Sequence, residues 1–148
     1  MADFALTLTG GDALAAQLKR LAAVAPAVVA EGLYAHAEEV MLVSKSEYVP
    51  VDHGTLRASG TVLPPEIAGQ TVTVTLGYGG PAAPYAVAVH ENPRSGHTGG
   101  VSPSGRRYRH WARTGGWKYL ELPFTRMANR MVPMVAAAVE KWLTALGR

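Results

Sequence analysis

The sequence predicts a single α+β domain, a small and mainly antiparallel sheet packed by two long helices, with a long basic Gly/Ser/Arg-rich loop. Three observations predict it. Apolar residues recur at helical spacing near both ends of the chain. Valines and threonines alternate strictly in the middle. Glycine and proline cluster between residues 50 and 116, where strands and loops are expected. A chain of 148 residues is one domain. At that length it buries about 68–70% of its unfolded surface and needs no disulfide or metal to fold.

Taken in order, Phe4, Leu6 and Leu8 alternate with polar or small residues, as in a half-buried strand. Gly10-Gly11-Asp12 reads as a turn and helix N-cap. Leu14, Leu18 and Leu21 then follow at helical spacing. Pro26 has no N–H to donate, so it is read as the first-turn residue of a second helix over residues 26–47. Val29, Leu33, Ala37, Val40 and Met41 form the expected buried stripe of that helix. Pro50 pushes Val49 out of the helical region and starts a turn. Asp52 is placed to accept backbone N–H bonds and cap a short segment over 53–58, with Gly54 at positive φ.

Residues 60–63 read as a strand, Pro64-Pro65 as a loop, and 71–76 as the clearest strand. Gly77, Gly79, Gly80 and Pro81 close it. Residues 84–91 fit a strand or a short helix. Residues 92–117 form the long loop, a length that often marks function. Residues 119–122 are a short strand or a helix lead-in. The last helix runs over 123–146, with a kink or restart at Pro133.

Composition excludes several classes. The chain has no cysteine, so disulfides, thiolate metal sites and thiol nucleophiles are all absent. No apolar run approaches the ~18 residues of a membrane span. The five histidines lack ligand spacing, and no metal or cofactor is expected. Asp52, His53 and Ser59 are the residue types of a hydrolase triad. Adjacent Asp52 and His53 cannot easily form the orienting bond, so a turn and cap is the favoured reading. Gly77-Tyr78-Gly79-Gly80 lacks the length and the lysine of a phosphate loop.

Net charge is +3, unevenly spread. Arg94, Arg106, Arg107, Arg109, Arg113 and Lys118 lie between Asn92 and Leu120 with no acid among them, which leaves the remainder net acidic. Tyr108 and Trp111 sit within this run and can stack on bases or guanidinium groups. The run suits contact with phosphates, docking on an acidic protein surface, or an inert solvated loop. No helix-turn-helix or zinc finger accompanies it.

Three stretches remain: Val49-Pro50-Val51-Asp52-His53-Gly54-Thr55-Leu56-Arg57-Ala58-Ser59-Gly60, Tyr85-Ala86-Val87-Ala88-Val89-His90-Glu91, and Lys118-Tyr119-Leu120-Glu121-Leu122-Pro123-Phe124. In this order, between two long helices, they resemble the tail-completion (neck) proteins of long-tailed bacteriophages. The resemblance covers residues 5–146. That family usually has threonine where this chain has His53. Its segment 92–117 is also longer and more basic than in the simplest members.

The resemblance implies a non-enzymatic virion protein, assembled in the host cytoplasm as a homo-oligomeric ring at the head–tail junction. Such a ring completes the tail and joins it to the capsid connector around the DNA channel. Its implied partners are itself, the adjacent connector, and tail-terminator or tail-tube proteins. A non-specific contact with packaged DNA stays open, and no membrane is involved. The candidate contact residues are Arg94, Arg106, Arg107, Tyr108, Arg109, Trp111, Arg113 and Lys118. Pro50, Asp52, Gly54 and Arg57 build the turn. The alternative is a nucleic-acid-binding accessory protein acting through residues 94–118.

Overall fold

A computed structural model describes residues 11–51, 53–95, 105 and 115–146. The expected strand over 3–8 lies outside the described residues, as do Asp52 and most of the 92–117 segment. The described chain is α+β: two long antiparallel helices, two short helices and two small antiparallel sheets.

Helix α1 (Gly11–Val43) passes straight through Pro26. The expected break there is therefore corrected to one continuous helix. Proline removes the N–H that would bond the carbonyl four residues earlier. That carbonyl belongs to Ala22, which is exposed, so water can take the bond. Pro26 itself is buried. The same logic carries α4 (Glu121–Leu146) through Pro133, because Asn129 four residues earlier is also exposed.

After Val43 the chain widens into a π turn, Ser44–Tyr48, closed by the Val49 N–H donating to the Ser44 carbonyl at 2.8 Å. Pro50 cannot continue the helix, and Val49 turns extended at φ −67°, ψ 125°. Helix α2 (Thr55–Ala58) follows.

Strands β1 (Thr61–Val62), β2 (Glu66–Ala68), β3 (Thr71–Thr73) and β4 (Leu76–Gly77) form one long hairpin with an interrupted ladder. The strand expected over 71–76 is split, and β2 falls beyond the expected proline loop. The registers explain both. Val62 pairs with Leu76, while Glu66 pairs with Thr73. Leu63-Pro64-Pro65 thus face only Val74-Thr75, one residue more on the proline side. Prolines cannot donate to a ladder, so the mismatch falls where they sit. Side chains alternate along a strand, and the extra residue reverses that parity, which puts Ile67 on the same face as Val62. Gly69, at φ 62°, turns the hairpin.

Residues 86–90, compatible with either element in the sequence, form helix α3 (Ala86–His90).

Helix α1 buries two faces. Ala37 and Met41 pack with Val62 against the sheet, flanked by Tyr34, Val74 and Leu76. Gly32 faces α4. A Cβ at Gly32 would lie 2.6 Å from the Val135 Cα, so only glycine permits this approach. Arg130 pairs with Glu39 at 2.7 Å across the same seam, and Lys141 with Glu31 at 3.4 Å. His36 sits in this seam 3% exposed, and neither ring nitrogen has a partner. Burial pushes its pKa below the ordinary value; the Glu39 carboxylate opposes that shift and Arg130 adds to it.

This imposes a pH dependence. The unfolded chain takes up the His36 proton near pH 6.5, while the folded chain resists it. The stabilisation from neutral His36 is present above that pH and lost as pH falls. Melting temperature should therefore drop between about pH 7.5 and 5, and His36→Leu should fall less steeply over that range. Equal slopes for the two proteins would show that His36 carries none of the dependence.

Candidate functional site

The three stretches singled out in the sequence converge on one place. Val49 and Leu56 from the first, Ala86 and Val89 from the second, and Tyr119 from the third share a single buried cluster with Tyr48 of the π turn and Ala83. Val43, Tyr78 and Leu120 pack against it.

Tyr119, 1% exposed, is its centre. Its hydroxyl donates to the Ala86 carbonyl at 2.7 Å. Its own carbonyl accepts from the Ser44 hydroxyl at 2.7 Å. The Ser44 oxygen also lies 2.8 Å from the Tyr78 hydroxyl. Ser44 has one hydrogen and has given it to Tyr119, so Tyr78 donates here. The Tyr119 ring meets Tyr78 edge-on at 5.0 Å and His90 edge-on at 4.9 Å. Burial pushes the Tyr78 hydroxyl up to about 12 and that of Tyr119 up as well. Both are neutral donors at physiological pH.

Lys118 sits beside this centre at φ 55°, a left-handed conformation rare for a side-chain-bearing residue. Two sets of bonds hold it there. Its N–H donates to the His90 carbonyl at 2.7 Å. Its ammonium bridges Glu91 at 2.8 Å and Glu121 at 2.7 Å. Glu91 also meets His90 Nδ1 at 2.7 Å. The Lys118 ammonium and then the His90 ring hold the Glu91 carboxyl below its ordinary pKa, while Glu121 and Glu91 raise that of Lys118. Lys118, expected among the partner-contact residues, is thus committed inside the subunit. An open cavity of about 230 Å³ lies beside it, lined by Tyr78, His90, Glu91 and Tyr119 among others. Its walls carry neutral phenols and paired charges.

The turn residues divide. Pro50 is buried. Gly54 takes φ 80° at the start of α2, and the Ala58 N–H donates to its carbonyl at 2.8 Å. Ser59 donates to the Leu56 carbonyl at 2.7 Å and accepts from the Gly79 N–H at 3.2 Å. That hydroxyl fastens α2 to the glycine turn. Gly60 is crowded, since a Cβ there would meet Lys45 Cε and Tyr78 Cε1 at 2.6 Å. Arg57 is exposed, with no ion-pair partner among the described residues.

Arg94 is exposed, its N–H donating to the Asn92 side-chain oxygen at 3.0 Å. Arg106, Arg107, Tyr108, Arg109, Trp111 and Arg113 lie outside the described residues, as does Asp52. Sequence reasoning missed Ser44, Tyr78 and the seam residues His36, Glu39 and Arg130. A serine and a histidine interrupting the apolar stripe of a long helix were the available signal.

Among the described residues no cluster of His, Cys, Asp or Glu could hold a metal ion. No described helix is long and apolar enough to cross a membrane. Comparison with known protein families, curated proteins and solved structures finds no match.

Two substitutions test this geometry. Ser44→Ala leaves the Tyr119 carbonyl and the Tyr78 hydroxyl without their shared partner, and should cost about 1–3 kcal/mol in denaturant unfolding. Ser46→Ala, at an exposed hydroxyl on the same turn, is the control. Equal effects from the two would show that the buried bonds contribute nothing. Gly54→Val should destabilise by more than ~1 kcal/mol, because a branched residue resists positive φ. No atom lies within 4 Å of a Cβ placed there, so the Cβ itself meets no clash and the positive φ is the source of the loss.

Proposed function

We propose that this chain is a structural subunit without catalytic work. It assembles with copies of itself into a ring at the head–tail junction of a long-tailed bacteriophage. There it completes the tail and joins it to the capsid connector around the DNA channel, with the connector and the tail-terminator or tail-tube proteins as neighbours.

One observation carries the self-assembling part. Over residues 131–146, α4 bears only two charges, Glu140 and Lys141. Its outer face leaves Val132 68% exposed, Leu143 48% and Leu146 58%. A helix apolar on both faces belongs in a buried setting, and the described residues of the subunit cover one face only. The resemblance of three sequence stretches supplies the place of assembly. Their convergence on the Tyr119 cluster supports reading them as structural. The polar groups there bond one another and the backbone.

The purified chain should sediment as an oligomer whose mass rises with concentration toward a closed limit. Cryo-electron microscopy of the particle should show it as a ring at the neck. A strict monomer that is also missing from the neck would overturn the proposal. A monomer binding DNA with affinity that falls steeply in salt would favour the accessory nucleic-acid reading.

A further inference from the structure

Beside the π turn, an open groove of about 450 Å³ is lined by Leu42, Lys45, Ser46, Gly54, Arg57 and Ala58. Leu42 stands 66% exposed in it. Neither Lys45 nor Arg57 has an ion-pair partner among the described residues. The groove therefore presents two cations, unpaired among the described residues, around one aliphatic side chain. Its complement is an exposed aliphatic side chain with an uncommitted acid on the same face.

Most described acids are committed. Glu91 and Glu121 hold Lys118, Glu39 holds Arg130, and Glu31 holds Lys141. Glu38 accepts from Tyr34, and Glu47 is also engaged. Glu66 and Glu140 have no such partner among the described residues. On β2, Glu66 and its apolar neighbour Ile67 point to opposite faces of a strand. On α4, Glu140 and the exposed Leu143 are three residues apart and share a face. The end of α4 therefore carries the matching pair.

The same molecule cannot bring the two together. The contacts Tyr48–Arg126, Glu39–Arg130 and Gly32–Val135 run α1 and α4 antiparallel. Leu42 is thus level with the first turns of α4, and Leu143 lies roughly 20 Å further along at 1.5 Å per residue. Two complementary patches at separate places on one subunit make a head-to-tail contact, which closes into a ring when the rotation permits.

We propose that the Leu42–Lys45–Arg57 groove receives the Glu140–Leu143 end of α4 from a second copy of this chain. This rests on the ring reading above and names the surfaces that join its subunits.

The chain has no cysteine, so introduced ones report contacts cleanly. Leu42→Cys and Leu143→Cys proteins, mixed and mildly oxidised, should give a disulfide-linked dimer that neither gives alone. Arg57→Glu should raise the concentration needed for association by about tenfold, with its melting temperature unchanged. Adding Glu140→Arg to that variant should restore association. Sedimentation on the same samples separates the two readings. An oligomer with no mixed disulfide, or one that Glu140→Arg fails to rescue, overturns the assigned surfaces and leaves the ring standing. Disulfides between like cysteines alone would show a two-fold contact and overturn the head-to-tail arrangement. A monomer at every concentration that also gives no mixed disulfide overturns both. Binding of an acidic segment from another protein to the groove of such a monomer would identify that segment as the occupant instead.

Discussion

Tyr119 must satisfy a hydroxyl and a backbone carbonyl in a place that water does not reach, and the arrangement around it follows from that requirement. An unpaired buried polar group costs more than its hydrogen bond would contribute when made. The hydroxyl is met by the Ala86 carbonyl, which fixes α3. The carbonyl is met by Ser44, which fixes the end of α1. Ser44 then needs Tyr78 on its other side, which ties in the glycine turn after the hairpin. One residue thereby sets the relative positions of segments up to 75 residues apart in sequence. The left-handed Lys118 just before it is part of the same constraint. Its backbone donates to His90 and its ammonium spans Glu91 and Glu121, which offsets the conformational strain.

The second constraint is the seam between the two long helices. Close approach at Gly32 allows α1 and α4 to pack near their middles, and the Glu39–Arg130 pair marks the next turns along. His36 is buried between these features without a partner, so the seam favours neutral imidazole. The pairing protects one stripe of α4. The opposite stripe, with Val132 and Leu143, stays exposed among the described residues. The domain is therefore firm around Tyr119 and incomplete along α4. That combination suits the proposed role, in which a rigid unit is finished by its neighbours.

Much of the architecture was legible in the sequence, and the physical reason is local. The helical repeats near the ends, the Thr/Val alternation, the turn at Pro50 and the positive φ at Gly54 all follow from backbone sterics and periodicity within a few residues. Those rules also misplaced breaks, at Pro26, at Pro133 and within residues 71–76. Pro26 stops an isolated helix, yet here α1 continues through it, with Pro26 and the residues after it packed and the freed Ala22 carbonyl on an exposed stretch that water can serve.

What the sequence left open was decided by contacts between distant segments. Residues 86–90 carry patterns for strand and helix alike; they form a helix whose Ala86 and Val89 are buried in the Tyr119 cluster. The split of the hairpin depends on which residues stand opposite the two prolines, a cross-strand fact. Lys118 read as a free cation in a basic run; only the fold brings Glu91, 27 residues earlier, within reach of its ammonium. Charge is a property of the residue, but whether a charge is available to a partner depends on what the chain folds against it. Hence the basic character of the segment was plain from the sequence, while the commitment of Lys118, and the lack of an ion-pair partner for Lys45 and Arg57 among the described residues, emerged only in three dimensions.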